Sequence, residues 1–254
     1  MPDTSNPHTA PATQRRVFTL ASLVTLGGAL LATLQPLHGV AGEAAVKIPA
    51  LTGSADAEPA SGHATVVFAG GCFWGVQGVF QHTRGVVQAV SGYSGGARAT
   101  AVYELIGSGL TGHAEAVQIT YDPKQVTYAQ LLQIYFSVVH DPTTLNRQGP
   151  DRGTQYRSAV FFTSEAQKAT TERYIAQLDA AKVFPAKIVT QVAPLAAFYP
   201  AEAYHQDYAT LHPESGYIAT FDLPKIANLK TVFPQWYRDE PVLVVARAKV
   251  AARP

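Results

Sequence analysis

The residue most able to do chemistry in this chain is its one cysteine. Cys72 is the only cysteine in 254 residues and stands in the stretch Gly70-Gly71-Cys72-Phe73-Trp74-Gly75. Val66-Val67-Phe68-Ala69 before it is a short apolar run that predicts a buried strand, and residues 75–81 after it space apolar groups like a helix. A cysteine at such a junction faces free backbone N–H groups and the positive dipole end of the helix. That setting favours the thiolate, the nucleophilic form. Two glycines upstream allow a tight turn and the close approach of a ligand. Phe73 and Trp74 are not turn residues, so their place beside the sulfur points to an apolar pocket. A lone cysteine is by default a small buried hydrophobe, but packing alone requires neither a Gly-Gly turn nor a helix start.

Other polar groups lie in three separated segments. Glu115 follows Gly107–His113 and opens Ala116–Tyr121, which alternates like a half-buried strand. It is either a solvated loop carboxylate or a buried one, and burial would keep it protonated near neutrality, as a general acid requires. A long polar loop from Asp141 to Tyr156 is unusually specific in residue type in its second half, which includes Asp151. His205 lies with Gln206, Asp207 and Tyr208 on an expected helix, Ala201–Leu211. Ser91–Gly96 is glycine-rich, but no phosphate-binding lysine or dinucleotide spacing follows it. The histidines are scattered without ligand spacing, so no metal site is expected.

These groups must be positioned by a substantial fold. With 47% hydrophobic and 15% charged residues the composition is globular, and a net charge of +1 gives no field for nucleic acid. Short strands and helices alternate irregularly, which predicts a two-layer α+β sandwich with a mixed sheet. A helix capped near Thr127 is expected over Val126–Val139, one capped by Ser164 over Glu165–Ala181, and a strand over Lys187–Val192. Residues 1–42 pair Arg15-Arg16 and Phe18 with an apolar run to about Leu34 and a small-residue exit. These are the parts of an export signal of twin-arginine type, with an uncleaved membrane anchor as the alternative. Export predicts a bacterial periplasmic location. Residues 43–62 read as a flexible linker, 63–237 as the catalytic domain and 238–254 as a fraying tail.

Gly71-Cys72-Phe73-Trp74-Gly75 resembles the active-site signature of the peptide methionine sulfoxide reductase A family, which acts on the S-epimer of methionine sulfoxide. Gly109-x-Thr111-Gly112-His113-Ala114-Glu115, Asp151-x-Gly153-Thr154-Gln155-Tyr156-Arg157-Ser158 and His205-Gln206-x-Tyr208 resemble further motifs of that family, in the same order. The likeness spans roughly residues 64–237 and implies a ferredoxin-like core with extensions. It also implies roles. Cys72 is the nucleophile, Phe73 and Trp74 cage the substrate methyl group, and protonated Glu115 with Tyr103 and Tyr156 polarises and protonates the sulfoxide oxygen. Asp151 and His205 are placed in support at the substrate, and no cofactor is implied.

The chain departs from many relatives in lacking a resolving cysteine, with Ser215-Gly216-Tyr217-Ile218 in the corresponding region. An external thiol (thioredoxin-like, glutaredoxin-like or small) is therefore expected to reduce the Cys72 sulfenic acid, and a monomer is expected. Three rivals keep an isolated cysteine: a thiol peroxidase, a cysteine hydrolase using His113 or His205, and a non-enzymatic module that binds oxidised methionine.

Overall fold

The structure, a computed structural model, describes residues 42–53 and 62–244. The expected export signal falls outside the described residues, apart from Gly42. The elements in order are β1 (Ala64–Gly70), α1 (Phe73–Gln81), β2 (Val86–Ser94), α2 (Tyr103–Ile106), β3 (Ala114–Tyr121) and α3 (Tyr128–Ile134). Then come β4 (Arg147–Gln148), β5 (Asp151–Arg152), β6 (Ser158–Phe162), α4 (Glu165–Ala180), β7 (Gln191–Pro194), β8 (Phe198–Pro200), α5 (Tyr208–Leu211) and α6 (Leu223–Val232).

Six strands form one sheet in the order β7-β6-β1-β3-β2-β8, and β4 and β5 make a separate small ribbon. The central four, β6-β1-β3-β2, are antiparallel throughout. With α1 joining β1 to β2 and α3 lying between β3 and β6, they are a βαββαβ unit of ferredoxin-like topology. Parallel β7 and antiparallel β8 extend it at the edges and make the sheet mixed. The two edge strands are joined by residues 195–197 alone. Six flat strands would hold their edges about 24 Å apart, whereas that connector reaches about 14 Å when extended. The sheet must curl.

Alternation along β1 sorts the two faces. Val66 and Phe68 join the large core with Phe73, Val76, Phe80, Leu131, Tyr135 and Leu229 from the helices. Val67 and Ala69 turn to the inside of the curl, where Ala114, Ala116, Ala159 and Phe161 meet Leu195 and Phe198. Small residues suit that face because the curl leaves little room.

Caps fall where the sequence places them. Thr127 and Gln130 form a reciprocal capping box at α3, and the Ser164 side chain accepts from the Gln167 N–H at α4. Past Ile134 the helix widens into a π turn, Tyr135–Val139. The strand expected over Lys187–Val192 lies later, at β7. The helix expected over Ala201–Leu211 is broken into a 3-10 turn, Ala203–His205, and α5, because Asp207 takes a left-handed conformation with φ 61°.

Two boundary expectations are corrected. The first half of the expected linker is a strap on the domain: Ile48 is buried in the core, and its carbonyl accepts from Gln133 Nε2 at 2.9 Å. Tyr174 Oη donates to Pro49 O at 2.6 Å, and the Thr52 N–H donates to Gln177 Oε1 at 2.8 Å. One apolar side chain and several helix-borne donors outweigh the Ala/Gly/Pro-rich composition. The expected fraying past Arg238 is also absent as far as Val244, since the Val242 N–H donates to Gln81 O and the Val244 N–H to Asp207 Oδ1.

Candidate active site

Cys72 is the N-cap of α1, directly after β1, as the junction predicts. Gly71 makes the turn with φ +87°, and a Cβ there would lie 2.7 Å from Gln148 Cβ. The close approach is thus the 140s loop rather than a ligand. Tyr135 Oη donates to Ala69 O at 2.7 Å, which anchors β1 just before the turn.

Glu115 sits on β3, paired with Tyr93 of β2, and is buried. Its Oε2 accepts the Phe73 N–H at 3.1 Å, so the carboxyl touches the first turn of α1 beside Cys72. Burial raises its pKa to about 8, with Asp151 and Asp222 adding to the rise against the Phe73 N–H. Of the two sequence readings of Glu115, the buried proton-holding carboxyl is the one realised.

The glycine-rich approach to β3 and the 151–157 loop meet because they are bonded to each other. Thr154 Oγ1 donates to Gly109 O at 2.6 Å, and Arg157 Nη2 donates to Gly112 O at 3.0 Å. This brings Tyr156 and Asp151 to Glu115, whose charge raises the Tyr156 pKa after burial itself. Tyr103, at the start of α2, has its pKa pushed up to about 12 by burial, Glu115 and Cys72. Its phenol therefore stays protonated, a donor facing the same space.

Phe73 is fully buried while Trp74 is half-buried, so the indole forms the mouth and the phenyl ring the floor. Trp74 stacks on Tyr208 at 4.0 Å and 14°, and meets Tyr217 edge-on at 6.2 Å. His205 packs against Phe73 at 5.1 Å and Tyr103 at 4.2 Å, and its Nδ1 accepts from Trp74 Nε1 at 3.3 Å. That bond leaves Nδ1 unprotonated, and burial lowers the pKa of the ring. His205 is thus an aromatic wall that orients Trp74. His113 lies with its Nδ1 accepting the Gly96 N–H and Nε2 at 3.0 Å from Ala97 O, both nitrogens committed to the backbone. His113 therefore has no nitrogen left to act as a base for a cysteine hydrolase, and the lone pair His205 would use is taken by Trp74 Nε1, its Nε2 being buried without a partner.

The thiolate expected at Cys72 is corrected. Burial, Asp222 and Glu115 push the thiol well above its ordinary range, and the Trp74 N–H and Lys225 only partly oppose them. The helix start is present, but desolvation and the Asp222 carboxylate outweigh it in the resting protein, and Glu115 adds to the rise once it ionises.

Sequence reading missed four polar residues here. Tyr217 Oη donates to Asp151 Oδ2, and nothing in its sequence setting marks it for that role. Glu202 accepts from Tyr93 Oη at 2.8 Å and from the Tyr103 N–H at 3.1 Å, fixing α2. Asp222 and Lys225 form an ion pair at 3.5 Å, with both residues buried. Their i,i+3 spacing reads in sequence as a surface pair, and only tertiary packing buries it. Among the described residues no group of three or more potential ligands could hold a metal ion.

A family model described as peptide methionine sulfoxide reductase matches residues 64–236. The chain belongs to this family. Peptide methionine sulfoxide reductase MsrA 2 of Mesorhizobium japonicum is 61% identical over 191 residues, covering 75% of this chain and 98% of that protein. The MsrA 2 of Synechocystis is 49% identical over 181 residues, covering 71% of this chain and 83% of its own length. Among solved structures, Mxr1 of Saccharomyces cerevisiae in reduced form superposes with a TM-score of 0.57 at 34% identity, covering 65% of this chain and 93% of that one. Methionine sulfoxide reductase A of Corynebacterium diphtheriae superposes at 0.52 with 33% identity, covering 69% of this chain and 85% of that one. The α+β fold with a mixed, curled sheet is that of these reductases, and the chain is a methionine sulfoxide reductase of the A family.

Proposed function

We propose that the protein reduces methionine-S-sulfoxide, free or in polypeptides, through a Cys72 sulfenic acid that an external thiol then reduces. The observation that carries this is Glu115, a buried carboxyl that keeps its proton to about pH 8 while bonded to the helix start beside Cys72. A sulfoxide becomes electrophilic at sulfur only when its oxygen is hydrogen-bonded or protonated. Glu115, with Tyr103 and Tyr156 as further donors, supplies that. The Cys72 thiolate attacks the polarised sulfur, whose methyl group lies against Phe73 and Trp74. Tyr217 and His205 steady Asp151 and the indole. In net terms the thiol and the sulfoxide give methionine and Cys72–SOH, the two electrons coming from the cysteine sulfur.

Return to the thiol takes two electrons and two protons from outside. One external thiol attacks the Cys72 sulfur and water leaves, and a second thiol releases Cys72 from the mixed disulfide. With one cysteine in the chain, no disulfide can form within it, and the buried Ile218 occupies the region where many relatives place a second. The export-signal pattern of residues 1–42 supports a periplasmic role in repairing exported proteins.

A single turnover without added thiol tests the reading, using each sulfoxide epimer of a blocked methionine. Support is about one equivalent of methionine from the S-epimer, none from the R-epimer, and none from Cys72→Ser. No methionine from either epimer would refute it and leave the peroxidase or the binding module. Non-reducing electrophoresis after the turnover must show no Cys72–Cys72 dimer; a dimer as the working intermediate would refute direct reduction by the external thiol.

A further inference from the structure

The Asp222–Lys225 pair lies against the first turn of α1. A Cβ built on Gly75 would stand 2.2 Å from Asp222 Oδ1 and 3.2 Å from Lys225 Cδ, so the pair fills the space a side chain at Gly75 would take. Asp222 is fully buried, and neither of its carboxylate oxygens has a hydrogen-bond donor, leaving Lys225 Nζ at 3.5 Å as its ion-pair partner. Two buried charges joined so loosely are a weak source of stability, because desolvation offsets most of their attraction. The strap supplies a third member. Glu43 accepts the Gly149 N–H on Oε1 at 2.9 Å, leaves Oε2 without a partner, and lines one cleft with Asp151, Tyr217 and Lys225.

The charged and titratable groups facing Cys72 come from several elements. Glu115 on β3 and Asp222 before α6 are carboxyls; Tyr103 on α2, Tyr156 and Tyr217 are phenols; Lys225 on α6 is the cation. Lys225 in turn faces Asp222, Glu43, Cys72 and Asp151, which together raise its pKa against the lowering effect of burial. It therefore carries its charge throughout the working range.

We propose that Lys225 is a positioning residue whose charge, held at the start of α1 by Asp222 and attenuated by Glu43 of the strap, stabilises the Cys72 thiolate. This rests on Cys72 being the nucleophile. The opposite signs of the three side chains make it testable: removing the cation must disfavour the thiolate, and removing either carboxylate must favour it.

The experiment is the pH dependence of Cys72 alkylation by iodoacetamide in the intact protein, followed by mass spectrometry with Cys72→Ser as the blank. Lys225→Met is expected to move the midpoint up by about one pH unit, near tenfold slower alkylation at fixed pH. Asp222→Asn and Glu43→Gln are expected to move it down, and Asp222→Asn with Lys225→Met to return it towards the wild-type value. An unmoved or lowered midpoint in Lys225→Met, or a raised one in Glu43→Gln, would overturn the proposal. Should Lys225→Met fail to fold, Glu43→Gln decides alone, because this half-buried strap residue lies outside the core, and an unmoved midpoint there refutes the proposal. Alkylation needs no sulfoxide, so an absence of sulfoxide turnover in the unsubstituted protein with these signs intact would sink the functional reading instead.

Discussion

Replacing Glu115 by glutamine should stabilise the protein most where the enzyme has least use for the residue, at alkaline pH. In the folded chain the carboxyl keeps its proton to about pH 8, mainly because burial penalises the charge, while an unfolded glutamate releases it near 4.5. Between those values the native state binds one more proton than the unfolded state, so stability falls as pH rises and levels off above the folded value. Each pH unit is worth about 1.4 kcal/mol. The interval therefore amounts to up to about 5 kcal/mol at pH 8.5 and to about 1 kcal/mol at pH 5. Glutamine keeps an oxygen for the Phe73 N–H and carries no charge, so the variant escapes this loss. For a domain of this size the melting temperature should rise by roughly 10–20 °C at pH 8.5 and by about 2–4 °C at pH 5. The first-turnover rate should meanwhile fall about 10²–10⁴-fold, and the alkaline decline near pH 8 should vanish. Melting curves of both proteins at the two pH values are the assay. An equal gain at both, or a loss at pH 8.5, would refute a buried, proton-holding Glu115.

Gly75→Ala should destabilise by about 1–3 kcal/mol or more, since its Cβ would fall 2.2 Å from Asp222 Oδ1 and force the buried pair apart; denaturant titration measures this. Ile48→Ala should lower stability by about 2–5 kcal/mol if the strap is part of the folded domain, whereas a true linker would show no change in the melting temperature. Thr127→Ala removes one half of the α3 capping box and should lower stability by about 1 kcal/mol in urea unfolding. First-turnover chemistry in Thr127→Ala should be unaltered, because the cap lies at the far end of the helix from the π turn that supports β1.

Part of the site was legible in the sequence, because Gly71, Cys72 and Glu115 belong to short segments whose residue types answer a local demand, whereas Tyr217, Glu202, Asp222 and Lys225 carry no such local mark. Gly71 must turn, Cys72 must cap α1, and Gly107–Gly112 must fold against the 151–157 loop. Strand alternation and the Thr127 and Ser164 caps fix most elements by the same local logic. The strap was hidden because its hold is one buried Ile48 and hydrogen bonds donated by residues more than eighty positions away, which composition cannot register.

Electrostatics lay furthest from sequence. A helix start argues for a thiolate at Cys72, yet desolvation and the carboxylate of Asp222, 150 residues downstream, decide the opposite for the resting protein. An Asp and a Lys three apart on a helix look like a solvated pair until Gly75 lets α1 settle on them. Sequence thus determined which side chains are chemically equipped and which segments turn, cap and pair, since those are short-range properties. The tertiary structure alone decided which of them keep or lose their protons, because that depends on burial and on charges brought together from distant parts of the chain.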